Sequence, residues 1–335
     1  MKGLVVGGGS IGKRHLQNLV TLGVEQVGLY EIDPVLRSSL TRTLGLPGFA
    51  DLASGLNWGP DFVVIATPTH LHAEQSLTVA RAGIDFFVEK PISHSSGYLC
   101  EIVELASQKR LVSLVACNMR FHPGPAKINQ LLSEQRLGKV LFARIYCGSY
   151  LPSWRSGSNY RSNYAARDQT GGGCILDCIH EIDLAHWYLG EVSDVCCMAG
   201  HLSALEIATE DVAALICRHT SGALSEIHLD YVQRTYERGC QIVGELGSIA
   251  WDFKAGRVIF HDNESGQETT FPQPGNWQLN EMYLEEMKHF LGCIQTRSQS
   301  VLSVSEAIVV MQTAFAAKES ARNGRVISIA KEVLA

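Results

Sequence analysis

Three side chains suited to proton transfer and oxyanion chemistry follow or lie within predicted secondary-structure elements. Lys90 comes two residues after an apolar run at residues 86–88, and Asp177 and His180 are three residues apart in a stretch that predicts a helix. At this spacing two helical side chains lie near one face. An ammonium group can stabilise developing alkoxide charge, and histidine exchanges protons near neutral pH. Asp177 can orient the lysine or a substrate, so the three residues predict a catalytic group.

A glycine-rich stretch near the start predicts a dinucleotide-binding loop. Gly7, Gly9 and Gly12 follow an apolar strand pattern and precede a helical pattern that extends to residue 22. This spacing permits a sharp turn, close approach of the backbone to a pyrophosphate and close helix packing. We therefore expect Ser10 and Ile11, at the start of the helix, to contribute to a phosphate site.

The second predicted strand ends in Glu31, which bears on the choice of cofactor. An acidic side chain at this place accepts hydrogen bonds from the adenosine ribose and repels a 2′-phosphate, which favours NAD. Arg37 and Arg42 on the next helix could reach a phosphate, so NADP is the alternative. The alternative that involves no cofactor is a glycine-rich turn beside a surface glutamate that has no binding role.

Alternating strands and helices predict the overall organisation. Up to residue 119, short apolar strands alternate with helical stretches, as in a doubly wound parallel Rossmann sheet. Beyond it, strands with hairpin-like spacing predict an α+β domain with a large, mostly antiparallel open sheet. The fold class is therefore α/β, with a dinucleotide-binding domain at residues 1–119 and a substrate-binding and oligomerisation domain at residues 120–335.

Composition sets limits on the class of protein. The chain has 335 residues, 46% of them hydrophobic, and a net charge of −6 with a pI near 6.1. That length suffices for two packed cores, and the acidic balance predicts neither nucleic acid nor an anionic membrane as a partner. No apolar stretch is long enough for a membrane span or has the pattern of a signal peptide. We expect a soluble, cytoplasmic protein.

Ten cysteines raise the question of a metal site or disulfides. None forms a C-x-x-C pair, and most lie in apolar patterns typical of small core residues in a reducing compartment. Cys174 and Cys178 are four apart beside His180, but the rest of a closed ligand set is missing. His180-Glu181 begins like an H-E-x-x-H motif, yet its fifth position is Leu184. No metal is predicted.

Several motifs together resemble those of the Gfo/Idh/MocA oxidoreductase family over nearly the whole chain. They are Gly7-x-Gly9-x-x-Gly12 with Arg14-His15, Ala66-Thr67-Pro68, Glu89-Lys90-Pro91, and Gly171-Gly172-Gly173-x-x-x-Asp177-x-x-His180-Glu181-x-Asp183. The resemblance implies a Rossmann domain and an α/β domain whose open sheet covers the active site and often forms subunit contacts. It also implies NAD(P)-dependent oxidation or reduction of a hydroxyl or carbonyl on a sugar, cyclitol or similar polyol. A homodimer or homotetramer through the C-terminal sheet is the expected assembly.

The resemblance assigns roles to individual residues. Lys90 matches the family's active-site lysine, and a cis Lys90–Pro91 bond is implied. The family's histidine commonly stands four residues after the aspartate, a position that Glu181 occupies here. We keep His180 as the acid/base, with Glu181 and a purely structural histidine as the alternatives. Further cofactor or substrate contacts are expected at strand ends, from Thr67, Pro68, His72, Glu89, Asn118 and Arg120; for Thr67, helix capping is the competing role.

An aromatic and basic stretch at residues 150–167 predicts the substrate class. Its candidate substrate-binding residues are Trp154, Arg155, Tyr160, Arg161 and Tyr164. Aromatic rings pack against sugars, and arginine binds carboxylate or phosphate groups through paired hydrogen bonds. This combination favours an anionic sugar such as a uronic acid, a sialic-type acid or a nucleotide sugar. A loop at a domain or subunit interface is the alternative. The resemblance is nearest to members found with bacterial surface-sugar biosynthesis.

The combined interpretation is an NAD(P)-dependent dehydrogenase or reductase of a sugar or sugar derivative. One alternative is an internal-redox enzyme that retains NAD, such as an epimerase, a lyase or a glycosidase-like enzyme. The other is a non-catalytic sensor that binds NAD(P). The joint presence of Lys90, Asp177 and His180 argues against a sensor, which has no need of them.

Overall fold

A computed structural model describes residues 1–154 and 159–329. The chain divides into two compact units: unit 1 comprises Met1–Asn118 and Leu279–Ile308, and unit 2 comprises Met119–Gln278 and Val309–Ala335. The first segment of unit 1 ends at Asn118, one residue before the predicted domain boundary. The segment Leu279–Ile308, predicted to belong to the second domain, belongs instead to unit 1, which corrects that part of the prediction.

Unit 1 is built around a six-stranded parallel sheet in the order β3-β2-β1-β4-β5-β6. Strands β4 and β5 are buried along their whole length, because helices cover both faces of a doubly wound sheet. The predicted Rossmann fold is confirmed. Its strands are β1 (Lys2–Val6), β2 (Gln26–Tyr30), β3 (Gly48–Phe49), β4 (Phe62–Ile65), β5 (Asp85–Glu89) and β6 (Ser113–Ala116). Its helices are α1 (Ser10–Thr21), α2 (Pro34–Leu44), α3 (Leu52–Asn57), α4 (Thr69–Ala82), α5 (Leu99–Gln108) and, from the returning segment, α9 (Asn280–Thr296).

Helix α9 explains why the returning segment belongs to unit 1. Its Phe290 is fully buried, and its ring packs edge-on against Phe62 of β4 and Phe87 of β5, with centroids 5.8 and 5.7 Å apart. Aromatic burial of this size dominates core energetics. α10 (Val304–Asn323) begins in unit 1 and continues in unit 2.

Unit 2 contains a nine-stranded sheet in the order β14-β13-β12-β11-β7-β10-β9-β8-β15. All neighbouring strands pair antiparallel except β7 and β10, which pair in parallel, so the predicted mostly antiparallel sheet is confirmed. Its strands are β7 (Val140–Gly148), β8 (Val192–Gly200), β9 (Val212–His219), β10 (Leu224–Asp230), β11 (Glu237–Gly244), β12 (Gly247–Asp252), β13 (Arg257–Asp262), β14 (Glu268–Pro272) and β15 (Ile327–Ser328). Its other helices are α6 (Pro123–Ser133), α7 (Cys174–Asp177) and α8 (Ile179–Leu189), and short 3-10 turns lie at Leu151–Ser153, Tyr160–Ser162, Tyr164–Ala166 and Asp168–Thr170.

The strands of unit 2 alternate between buried and exposed side chains. Helix α8 contacts β7 and β10 on the buried face. On the opposite face, Met198 of β8 is 81% exposed and Ile216 of β9 is 49% exposed. Within the described residues, no helix is both long and apolar enough to cross a bilayer.

Candidate active site

The glycine loop of unit 1 has the geometry that a pyrophosphate site requires. Gly7 has φ +98°, and a Cβ on Gly12 would lie 1.9 Å from the Gly7 carbonyl oxygen, so neither position accepts a larger residue. A Cβ on Gly9 would meet nothing within 4 Å. Helix α1 starts at Ser10 and continues through Ile11, and no side chain caps it. Its first N–H groups are therefore available to an anion.

Glu31 stands beside this loop at the end of β2. Its Oε2 accepts a hydrogen bond from the Gly8 N–H at 2.6 Å, and its Oε1 accepts one from the Asp33 N–H at 2.9 Å. The Arg37 guanidinium donates to the Glu31 carbonyl oxygen at 2.5 Å. The carboxylate is thus held at the rim of the glycine loop, where an adenosine ribose binds in a Rossmann domain.

His72 joins the two loops that follow β4 and β5. Its Nδ1 lies 2.8 Å from the Pro91 carbonyl oxygen, and its Nε2 lies 2.7 Å from that of Thr67. Burial lowers the pKa of His72, so a neutral ring donates to one carbonyl at a time. Pro68 is the cap residue of α4, and the Thr67 hydroxyl donates to Gln75 Oε1 at 2.6 Å, so Thr67 does not cap the helix.

Lys90 directly follows β5, an interior strand, and the Lys90–Pro91 bond is cis as the resemblance implied. The neighbouring Glu89 is 9% exposed, and its Oε1 lies 2.7 Å from Nε2 of the fully buried His15. Two of the recognised motifs, at residues 14–15 and 89–91, therefore meet within unit 1. The contact fixes the strand end that carries Lys90, which is itself half-buried.

Tyr283 of α9 adds a residue that the sequence interpretation missed. The Arg14 guanidinium lies over its ring at 4.3 Å, and its side chain is hydrogen-bonded to Asn118. Burial and the nearby Glu89 raise the pKa of Tyr283. Asn118 is 6% exposed and lies in unit 1 beside the end of β6. No local motif points to Tyr283, because it lies more than 160 residues from Asn118 in the chain.

In unit 2 the predicted catalytic helix is interrupted between its two functional residues. Asp177 is the last residue of α7, and His180 is the second residue of α8. Cys178 lies between the two helices, with φ −90° and ψ 34°. The expectation that Asp177 and His180 share one helix is therefore wrong, and regular helical spacing does not relate the two side chains. Asp177 is 5% exposed and His180 is 7% exposed.

Glu181, the alternative acid/base, is held in a buried ion pair. Its Oε1 lies 2.8 Å from Nε of Arg238, and its Oε2 lies 3.3 Å from Nη2. Burial acts to lower the pKa of Arg238, but Glu181 raises it well above its ordinary value. A fully buried carboxylate with a permanent cation is poorly suited to exchange protons with a substrate. The geometry favours His180 over Glu181.

Arg120 also has a structural partner within unit 2. Its guanidinium donates to both oxygens of the fully buried Asp183, at 2.9 and 2.7 Å, and lies over the Trp187 ring at 5.2 Å. Bidentate pairs of this kind orient both side chains strongly. The contact gives Arg120 a structural role that competes with the predicted substrate role.

The aromatic and basic stretch has several partners inside unit 2. Trp154 donates from Nε1 to Ser149 Oγ at 2.7 Å, and Arg161 forms an exposed ion pair with Glu206. The Tyr160 hydroxyl accepts a hydrogen bond from the Glu206 N–H at 3.3 Å. Arg155 lies outside the described residues.

Tyr164, one of the predicted substrate residues, contacts the predicted catalytic group. Its hydroxyl donates to Asp177 Oδ1 at 2.9 Å. Tyr231, which sequence inspection missed, donates to Asp177 Oδ2 at 3.1 Å. The only sequence signal for Tyr231 is a polar residue pair at the end of a predicted strand, which is too common to single it out.

Comparison with protein families decides the assignment. The model described as "Oxidoreductase family, NAD-binding Rossmann fold" matches residues 1–117, and that of the GFO/IDH/MocA C-terminal domain matches residues 126–250. The chain belongs to the Gfo/Idh/MocA family. It is therefore an oxidoreductase, and unit 1 holds its NAD-binding site.

Individual relatives of this family member extend over almost the whole chain. Scyllo-inositol 2-dehydrogenase (NAD(+)) of Bacillus subtilis is 24% identical, with 97% of this chain and 95% of the relative covered. Myo-inositol 2-dehydrogenase of Thermotoga maritima is 25% identical, with 97% of each chain covered. The solved structure of levoglucosan dehydrogenase in complex with NADH superposes with a TM-score of 0.90 at 21% identity, over 98% of this chain and 99% of the other, and shows the same fold.

One buried trio in unit 2 of this oxidoreductase has metal-ligand atoms close together. Within the described residues, atoms of Cys147, Cys178 and Glu181 lie within 4.8 Å of one another. Cys174, the predicted partner of Cys178, is not part of this group. A hydrogen bond to Cys147, and burial, raise the pKa of Cys178 well above its ordinary value. With a protonated thiol and with Arg238 already on Glu181, a cation would have to displace a proton and a guanidinium to bind here.

Proposed function

We propose that this family member is an NAD-dependent dehydrogenase or reductase that acts on a hydroxyl or carbonyl carbon of a sugar or cyclitol. The observation that carries the proposal is the ammonium group of Lys90 directly after β5, an interior strand of the NAD-binding sheet. Ligands of such sheets bind at the carboxyl ends of the strands. The names of the inositol and levoglucosan dehydrogenases support the same substrate class.

The residues around the glycine loop fit NAD. The uncapped start of α1 would bind the pyrophosphate, and the open space beside Gly9 admits it. Each Glu31 oxygen accepts one backbone hydrogen bond and keeps a lone pair for a ribose hydroxyl. When bound, NAD supplies or accepts the hydride at nicotinamide C4.

In this proposal three side chains stabilise the reacting substrate oxygen and transfer its proton. Lys90 donates a hydrogen bond to the reacting oxygen and stabilises its developing negative charge. His180 takes the hydroxyl proton during oxidation and returns it during reduction. Asp177 orients the substrate hydroxyl or the proton-transfer partner, with its own carboxylate fixed by Tyr164 and Tyr231.

The finer proposal, an anionic sugar, rests on the arginines near the aromatic stretch. Because Arg161 already pairs with Glu206, the structure gives it less support than the sequence did. Neutral polyols and uronic or sialic-type acids therefore enter the assay side by side. The proposed assembly is a homodimer or homotetramer through the exposed sheet face of unit 2, where Met198 and Ile216 lie.

The test is absorbance at the nicotinamide band, with NAD or NADP and a panel of cyclitols, anhydrosugars, neutral sugars and acidic sugars. We expect NADH to form with at least one polyol, and Lys90→Ala to lower kcat by about a thousandfold or more. Lys139→Ala is the matched control, because it removes an exposed lysine of unit 2. It should retain the wild-type rate.

Other outcomes identify the alternatives. Cofactor that is reduced transiently on the protein, with product formed but no net NADH, indicates an internal-redox enzyme. NAD binding without reduction across the whole panel would contradict the dehydrogenase proposal and favour a sensor. Equal activity in Lys90→Ala and the wild type would refute the role of Lys90.

A further inference from the structure

Tyr231 has a buried side chain whose hydroxyl donates to one side-chain acceptor. That acceptor belongs to the predicted catalytic group. It follows β10 directly and is fully buried, among the largest side chains in the core. A buried tyrosine hydroxyl needs a partner, and here it donates to Asp177 Oδ2 at 3.1 Å. Burial and Asp177 raise the pKa of Tyr231 well above its ordinary value, so the hydroxyl remains a donor at every working pH.

The carboxylate of Asp177 is held at both oxygens. Tyr164 donates to Oδ1 at 2.9 Å while Tyr231 donates to Oδ2. A single donor leaves a carboxylate able to rotate about its terminal torsion, whereas two donors on different oxygens fix its plane. Because Asp177 is only 5% exposed, water competes little for these oxygens and the hydrogen bonds are correspondingly strong.

The two tyrosines differ in how firmly they are held. Tyr164 is half-buried on a short 3-10 turn. The backbone of Tyr231 is fixed on both sides, since its N–H donates to the Asp211 carbonyl at 2.8 Å and its carbonyl accepts from the Leu151 N–H at 3.0 Å. The Trp154 ring packs edge-on against the Tyr231 ring with centroids 5.2 Å apart. Tyr231 is therefore the rigid member of the pair.

We propose that Tyr231 is a positioning residue of the reaction, acting through Asp177. Its fixed hydroxyl sets the plane and direction in which the Asp177 carboxylate meets the substrate. This inference rests on the proposed function, in which Asp177 contacts the substrate or the proton-transfer partner. A misplacement of a catalytic group by about 1 Å costs about a hundredfold in rate, so a positioning residue affects turnover more than binding.

The first measurement is steady-state kinetics of Tyr231→Phe, which keeps the ring and removes the hydroxyl. We expect kcat to fall about tenfold to a hundredfold with KM changed less than about threefold, while the Kd for NAD stays the same. Tyr188→Phe is the matched control. It removes another buried hydroxyl of unit 2, one that donates to the Pro125 carbonyl at 3.4 Å and does not touch Asp177. Its kcat should stay within about twofold of the wild type.

A double-mutant cycle with Asp177→Asn separates positioning from a general structural effect. If Tyr231 acts through Asp177, Tyr231→Phe lowers the residual kcat of Asp177→Asn by less than about twofold. Additive losses would overturn the proposal, and so would a wild-type kcat in Tyr231→Phe. If Tyr231→Phe does not fold, the same cycle is run with Tyr164→Phe, whose hydroxyl occupies the other oxygen; additive losses there overturn the two-donor arrangement.

These outcomes differ from a failure of the proposed function. If the wild type reduces NAD with no sugar in the panel, the dehydrogenase proposal fails and the role of Tyr231 fails with it. If the wild type turns over and the cycle is additive, only the role of Tyr231 is refuted.

Discussion

Acidification should destabilise unit 2 through His122, whose side chain is neutral in the folded protein. Its side chain is 1% exposed and packs among the rings of Trp251, Phe253 and Trp277, with centroids 5.4, 5.2 and 4.6 Å away. Its Nδ1 accepts a hydrogen bond from the Gly124 N–H at 3.1 Å and so caps α6. A protonated ring cannot accept that bond.

The magnitude follows from the pKa. Burial, with a smaller contribution from Arg238, lowers the pKa of His122 from 6.5 to about 4. Well above pH 6.5 the ring is neutral in both the folded and the unfolded state, so its contribution to the free energy of unfolding is fully present. Between pH 6.5 and 4 the unfolded chain takes up the proton first, so the free energy of unfolding falls. The loss is about 2 kcal/mol at pH 5 and about 3 kcal/mol well below pH 4.

The assay compares the wild type with His122→Asn, which keeps a side-chain acceptor for the start of α6 but does not titrate. The free energy of unfolding is measured at pH 7 and pH 5 with guanidinium, using the fluorescence of the tryptophans around residue 122. The variant is less stable at pH 7, because it loses aromatic packing, yet between the two pH values it should lose about 2 kcal/mol less than the wild type. Equal losses in both proteins, within about 0.5 kcal/mol, would refute the reasoning.

Three further predictions concern the cofactor, the core and the assembly. Glu31→Ala should raise kcat/KM for NADP relative to NAD by about tenfold or more, because the ribose acceptor and the repulsion of a 2′-phosphate are both lost; an unchanged ratio would contradict the assignment. Arg238→Met should lower the free energy of unfolding by about 3–5 kcal/mol, because Glu181 is left buried without its cation, and the double variant with Glu181→Met should recover much of the loss in chemical denaturation. Met198→Glu should convert the proposed homo-oligomer to a monomer in light scattering, whereas Leu202→Glu, also exposed but outside β8, should not; a wild type that is already a monomer would contradict the proposed assembly.

Several features follow from the sequence alone because they depend on neighbouring residues. The glycines at 7, 9 and 12 predicted the turn before α1, since few other residues tolerate a positive φ or the close approach found there. The fully apolar runs predicted parallel strands buried on both faces, and they placed Lys90 at a strand end. Alternation predicted the sheet of unit 2. Local periodicity reports which face of an element is buried, and the type of each element follows from that pattern.

Tertiary structure alone decided what packs against each buried face. Phe290 and Tyr283 join unit 1 because α9 packs on β4 and β5, although the chain reaches them only after passing through unit 2. The pairing of Glu181 with Arg238 and of Asp177 with Tyr231 spans more than 50 residues in each case. A buried charge or hydroxyl must find a partner, but the sequence pattern does not say which one. The ion pair of Glu181 and the two hydrogen bonds that hold Asp177 therefore depend on the folded arrangement of the chain around α7 and α8.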